Sequence, residues 1–172
     1  MVCIKDILEY YSQCNKYINI NIIKTLKENN YIFNKSLTGY YKNINDILFH
    51  ILTVDMSWTN DLKEITKSTV FEEKIYKEFN DENDINPYKS IIDFENDRII
   101  LDDLLIEYVN EINLNDLEKE LILKNNKRKK VWEILIHTFN HQTHHRGQIS
   151  QIIDENGIEN DFSNMIRYDR NK

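Results

Sequence analysis

Apolar residues recur at intervals of three and four along four long segments of the chain, which is the spacing of an amphipathic α-helix. The segments cover residues 4–29, 44–67, 87–112 and 131–156. Only three glycines and one proline occur in the sequence, so few turn residues are available for a fold with many strands. The pattern predicts an all-α protein, a four-helix bundle in which residues 1–172 form a single domain.

The segments between these helices predict how the helices are connected. Asn43 is a plausible N-cap of the second helix, and Asn86-Pro87 reads as an N-cap followed by proline at the first position of the third. Residues 68–86 are polar and acidic and predict a long crossover loop. The sequence ELILKNNKRKK at residues 120–130 predicts a short β-hairpin before the fourth helix.

Composition and charge narrow the range of functions. The net charge of -7 and the pI of about 5.3 argue against a nucleic-acid binder, which needs a basic face. The basic run from Lys127 to Lys130 is interpreted as a solvated turn. No apolar run approaches the ~20 residues of a membrane span. The N-terminal residues lack the features of a signal peptide, so a cytoplasmic location is expected.

The sequence HTFNHQTHHRGQ at residues 137–148 contains four of the five histidines. In a helical projection, His141 and His145 lie about 20° to either side of the direction of the core. Such a pair, one turn apart, can present two imidazole nitrogens to one metal ion. His137 and His141 form a competing pair with the same spacing, whose centre is about 40° away from the core direction.

The fifth histidine, His50, lies at the edge of the apolar face of the second predicted helix. Together with His141 and His145 it would form a three-nitrogen site with an open position for water or substrate. Imidazole ligands suit zinc, nickel, iron and copper, so the spacing does not select the metal. The alternative is that these histidines are hydrogen-bonded residues of the core, which is the commoner role of a single histidine on an apolar face.

Two carboxylates project onto apolar helix faces and are candidate catalytic residues. Asp55 falls near the middle of the inner face of the second helix, and Glu95 does the same on the third. A buried carboxylate is unfavourable unless it is paired or binds a metal. The favoured interpretation is a salt bridge, with Arg98 or Arg146 as the partner. The alternative is a carboxylate that orients a metal-binding imidazole or acts as a general base.

The sequence NHQTHHRGQI at residues 140–149 resembles the signature of the DinB family of metal-binding four-helix-bundle proteins, and residues 36–58 resemble the second-helix segment of that family. The resemblance implies that His50, His141 and His145 bind one divalent ion, zinc or nickel. It further implies a homodimeric, metal-dependent enzyme, since some members of the family transfer a low-molecular-weight thiol such as bacillithiol or mycothiol and others isomerise maleylpyruvate. The hypothesis that follows is a thiol transferase or a hydrolase acting on a small molecule. The alternative is a non-catalytic metal-binding bundle with a role in stress.

Overall fold

Helices account for most of the computed structural model, which describes residues 2–78 and 85–169. This confirms the predominantly helical class. Short 3-10 helices cover Asn30–Ile32, Thr69–Glu72 and Met165–Arg167. The other elements follow in the order α1 (Ile4–Glu28), α2 (Ile44–Asp61), α3 (Lys63–Thr66), α4 (Lys74–Glu78), α5 (Ile91–Glu111), α6 (Leu114–Leu117), β1 (Glu120–Ile122), β2 (Arg128–Lys130) and α7 (Val131–Glu155).

The four long helices α1, α2, α5 and α7 enclose the hydrophobic core. Helix α1 packs against α5 and α7, and α2 packs against the same two helices. Their apolar faces meet in a core that includes Leu26, Ile51, Phe94, Leu105 and Phe139, all at most 3% exposed. None of the described helices combines the length and the hydropathy that a membrane span requires.

The second helix ends earlier than the sequence predicts. Helix α2 ends at Asp61, and the short helix α3 follows after Leu62. The backbone N–H of Leu62 donates to the carbonyl of Thr59 at 3.1 Å, a tighter turn than the α-helix makes. This turn lets Leu62 enter the core, where it is fully buried.

The third helix begins later than predicted, because the N-cap is Ser90 and not Asn86. The hydroxyl of Ser90 accepts from the backbone N–H of Asp93 at 3.2 Å, and the carboxylate of Asp93 accepts from the N–H of Ser90 at 3.0 Å. This reciprocal pair is a capping box. Asn86 instead accepts from the N–H of Tyr88 and donates to Asn45. The proposed cap at Asn86-Pro87 was therefore wrong.

The two other predicted connections have different outcomes. Residues 68–86 were predicted as a loop, but the segment contains the 3-10 helix Thr69–Glu72 and helix α4; residues 79–84 lie outside the described part of the chain. The hairpin is confirmed: β1 and β2 pair antiparallel, with Leu121 opposite Lys129. It leads directly into α7, which carries four of the histidines.

Candidate metal centre

Helices α2 and α7 pack together and bring three histidines to one place. Asn43 fixes the start of α2 by accepting from the N–H of Asp46 at 2.8 Å, as predicted. His50 lies two turns further along this helix. His141 and His145 lie one turn apart on the facing side of α7, so their side chains point the same way.

The Nε2 atoms of the three rings converge. Nε2 of His141 lies 3.2 Å from Nε2 of His50 and 3.0 Å from Nε2 of His145. One ligand atom from each residue lies within 4.8 Å of the others. Two nitrogens bound to one tetrahedral zinc ion are about 3.3 Å apart, because Zn–N bonds are about 2.0–2.1 Å long. Two of the three separations are close to that value, and the third stays within 4.8 Å, so a small movement of the rings would bring all three nitrogens onto one ion.

The hydrogen bond on the far side of His145 indicates which nitrogen carries the proton. Nδ1 of His145 lies 2.8 Å from Oε1 of Gln148, which can only accept. The proton of the neutral ring is therefore on Nδ1, and the lone pair of Nε2 points into the cluster. A nitrogen lone pair aimed at other ring nitrogens is favourable when a cation lies between them. The partner on Nδ1 also holds the ring in orientation, as is usual for histidines that bind metals.

The surroundings keep these rings neutral. Burial, together with the neighbouring His145 and His50, lowers the pKa of His141 to about 4. Burial also lowers the pKa of His50, with a further contribution from His145, and burial lowers the pKa of His145 against the opposing effect of Gln148. A neutral imidazole is the form that binds a metal, so the site is ready for a cation at neutral pH.

Tyr41, in the segment between α1 and α2, covers one side of the cluster. Its ring centroid lies 5.4 Å from that of His50 and 5.6 Å from that of His145, with the second pair edge-to-face. Burial raises the pKa of Tyr41, and Tyr40 raises it further, so the phenol keeps its proton. Sequence reasoning missed both Tyr41 and Gln148. Gln148 was accessible to it, since it lies three residues after His145 on the same helix.

The two remaining histidines lie beside the cluster and outside it. The exposed ring of His137 packs edge-to-face against Trp58 at 5.3 Å and lies 6.3 Å from His141. His144 is exposed, with its ring 4.8 Å from that of His145. Of the two pairs that the sequence left open, His141 and His145 are the pair that meets His50.

Asp55 lies in the core and forms the salt bridge that the sequence favoured. Its Oδ2 atom accepts from Nη1 of Arg98 at 2.7 Å and from Nε2 of Gln142 at 2.9 Å. Nη2 of Arg98 donates to Asp102 at 2.7 Å, which extends the network along α5. Burial raises the pKa of Asp55 to about 7, although Arg98 opposes this shift. The contacts of Asp55 hold it in this network, so the geometry gives it the role of bracing α2 against α5 and α7.

Glu95 does not point into the interior, and the prediction of an inward carboxylate was wrong. The buried face of α5 carries Ile91, Phe94 and Arg98, and Glu95 lies beside that face. Its side chain is 27% exposed and accepts from Nζ of Lys27 at 2.8 Å. The length of the glutamate side chain allows it to reach this surface partner on α1.

The fold and the site together define a class: a helical protein with three histidines grouped so that they could hold one metal ion. The sequence model of the DinB family matches residues 3–171, nearly the whole chain. The protein therefore belongs to the DinB family. Neither the curated proteins nor the solved structures contain a match to this chain.

Proposed function

We propose that the four long helices form a four-helix bundle, a single domain of residues 1–172, that acts as a divalent-metal-dependent enzyme on a small molecule. The observation that carries this proposal is the convergence of three Nε2 atoms from two helices. His50 and His141 are only partly buried, so the cluster has contact with solvent. A catalytic site needs such access, whereas a purely structural ion is usually enclosed by four protein ligands.

His50, His141 and His145 would hold the ion, and membership of the family makes zinc or nickel the proposed metals. When bound, the ion would supply Lewis acidity, which polarises a substrate oxygen or lowers the pKa of a thiol or water. Gln148 would keep the proton of His145 on Nδ1 and so keep Nε2 free for the ion.

Tyr41 would contribute a hydrogen-bond donor at the edge of the site. Its ring lies against His50 and His145, and its raised pKa keeps the hydroxyl protonated. A neutral phenol can donate to a substrate atom that gains negative charge. Asp55 is proposed to act only through position, because its partner Gln142 lies in the helical turn between His141 and His145. Glu95, paired with Lys27 on the surface, has no part in the proposed chemistry.

The proposed reaction is the transfer of a low-molecular-weight thiol, with hydrolysis as the second candidate. In the transfer, the thiol loses its proton and its sulfur forms a bond to an electrophilic carbon. The leaving group departs from that carbon with the bonding electrons. Family membership supports this reaction type. A homodimer in the cytoplasm is part of the same proposal and rests on the same resemblance.

The direct test is a metal-dependent turnover assay. Protein loaded with zinc or nickel is incubated with a thiol and monochlorobimane, which becomes fluorescent when a thiol displaces its chloride. Nitrophenyl esters test hydrolysis in parallel. We expect a rate that requires the metal, is lost in His141→Ala and is kept in His144→Ala. Metal binding without turnover of any thiol or ester would favour the non-catalytic alternative.

A further inference from the structure

An apolar cavity of about 460 Å³ lies next to the histidine cluster, between α2, α7 and the hairpin. We call it the tryptophan pocket; its apolar walls are Trp58, Leu123, Trp132 and Ile136. Pockets for small molecules usually measure about 300–1,000 Å³ and are lined mainly by apolar and aromatic side chains. The tryptophan pocket has the size and the lining of such a site.

Two ring contacts connect this pocket with the metal centre. Trp58 packs against His137, with ring centroids 5.3 Å apart, and His137 lies 6.3 Å from His141. His137 itself lines the pocket. A molecule in the pocket would therefore contact His137, whose ring is the neighbour of His141.

The charged groups at the rim of the pocket neutralise each other. Nζ of Lys129 lies 3.1 Å from the carboxylate of Glu133, and both residues line the cavity. Together these two side chains carry no net charge that would attract an ionic ligand. Ile136, by contrast, is 39% exposed, which is unfavourable for a large apolar side chain in water. The pocket is thus suited to a neutral apolar group that covers Ile136.

The cavity on the other side of the cluster has a different character. It measures about 520 Å³ and contains polar side chains, among them Tyr40, Tyr41, Gln148 and Gln151. The histidines therefore lie between a polar cavity and an apolar one along the same helix. Because the tryptophan pocket is the more apolar of these two cavities, the apolar part of a substrate would bind there rather than in the polar cavity.

We infer that the tryptophan pocket binds the neutral aromatic part of the substrate, whose reacting polar group lies at His50, His141 and His145. Aromatic side chains give aromatic ligands an additional preference through edge-to-face and offset stacking. The inference rests on the proposed function for the position of the reacting group. The binding of an aromatic ring in the pocket can be tested without the metal.

The sequence offers a specific reporter for this test. The chain contains two tryptophans, and both line the pocket. In a ¹⁵N-labelled sample, the two indole N–H signals therefore both come from the wall of the pocket. Metal-loaded protein is titrated with phenylbutyrohydroxamate and with butyrohydroxamate, which share the metal-binding group and differ by the ring. We expect the phenyl compound to bind at least about tenfold more tightly, because it buries a phenyl group, and to shift both indole signals.

Two isoleucine-to-glutamine variants at positions of similar exposure test whether the preference for the phenyl compound comes from the pocket. Ile136→Gln removes an apolar wall at a position that is 39% exposed, so the fold should tolerate it. We expect this variant to lose most of the preference for the phenyl compound. Ile20→Gln changes a residue of α1 that is 42% exposed and should keep the full preference. Equal affinity of both hydroxamates for the wild-type protein would overturn the inference.

A third titration separates the pocket from the metal centre. Benzyl alcohol, which has no metal-binding group, is added to metal-free protein, and the indole signals are followed. We expect benzyl alcohol to shift both indole signals. If the protein bound no metal, the proposed function would be refuted, but this shift would still show the aromatic site. Signals that respond to protein concentration and not to benzyl alcohol would mean that a second copy of the chain fills the pocket, and would refute the inference.

Discussion

The side chains of Arg98 and Asp55 form an ion pair 2.7 Å long in the interior, where they are 2% and 0% exposed. Arg98 also pairs with Asp102, one turn along α5. Gln142 of α7 completes the network by donating to Asp55. These bonds connect α2, α5 and α7, and Gln142 is the residue that follows His141. The packing of the core and the arrangement of the site are therefore coupled.

Removal of Arg98 should destabilise the protein strongly. In Arg98→Met, two buried carboxylates lose their cationic partner, and breaking a buried ion pair in this way typically costs about 3–5 kcal/mol. The free energy of unfolding, measured by urea denaturation, should fall by about this amount. The matched control is Arg128→Met, whose partner is Glu120 on the exposed hairpin. This variant should change the free energy of unfolding by less than about 1 kcal/mol. Equal effects of the two substitutions would contradict the buried network.

Gln148 should influence metal affinity although it is not a ligand. Gln148→Ala removes the acceptor for Nδ1 of His145, and the loss of such a partner typically lowers metal affinity by about 10–100-fold. Competition with a chromophoric chelator measures the change. Gln148→Glu retains an acceptor oxygen and should recover most of the affinity. Gln151→Ala, one turn away and bonded to Glu155, is the control and should bind metal as the wild type does. An unchanged affinity in Gln148→Ala would refute the role of this residue.

Ser90 should contribute to stability as the N-cap of α5. Ser90→Ala removes the hydroxyl that accepts from the N–H of Asp93, which should lower the free energy of unfolding by about 0.5–2 kcal/mol. Ser90→Asn, which retains a capping oxygen, should lose much less. If alanine and asparagine at position 90 gave the same stability as serine, the assigned start of α5 would be wrong.

The stability of the metal-free protein should depend on pH through the histidine cluster. The pKa of His141 is lowered to about 4 in the folded protein, while an unfolded histidine titrates near 6.5. Between these values the unfolded chain takes up protons that the folded protein does not. The contribution of His141 to the free energy of unfolding therefore decreases as the pH falls through this window.

Burial raises the pKa of Asp55 and of Asp102. The effect of these two groups on the free energy of unfolding as the pH falls is therefore opposite to that of His141. The contribution of His141 is therefore isolated by comparison with His141→Gln, in the presence of a chelator. As the pH falls from about 6.5 to about 4, the free energy of unfolding of the wild type should decrease relative to that of the variant. A difference that stays constant over this range would show that His141 is not held neutral by its surroundings.

The sequence predicts the site better than it predicts the ends of the helices. The period of the helix is sufficient to bring His141 and His145 to one face. The approach of His50 depends on how α2 packs against α7, which spacing along the chain does not determine. The sequence therefore offered His50 as a candidate third ligand, and the family resemblance favoured it over the alternative of a core histidine. Tyr41 was missed for the same reason, since it lies outside the helices and reaches the site through a turn.

The errors at the ends of helices have local causes. The serine and aspartate of SIID, residues 90–93, carry the capping-box pattern, but Asn86-Pro87 offered a competing signal four residues earlier.

Glu95 was assigned to the interior by projection alone. A projection gives the direction of the backbone position and not that of a long side chain, which here turns towards Lys27.

The central claim is that His50, His141 and His145 bind one metal ion together. Wild-type protein and the variants His50→Ala, His141→Ala and His145→Ala are dialysed against zinc, and the bound metal is measured by mass spectrometry. His137→Ala and His144→Ala serve as controls, because both residues lie beside the cluster without joining it. We predict about one ion per chain for the wild type and both controls, and far less for each of the other variants. Full metal content in His50→Ala, His141→Ala and His145→Ala would contradict the account.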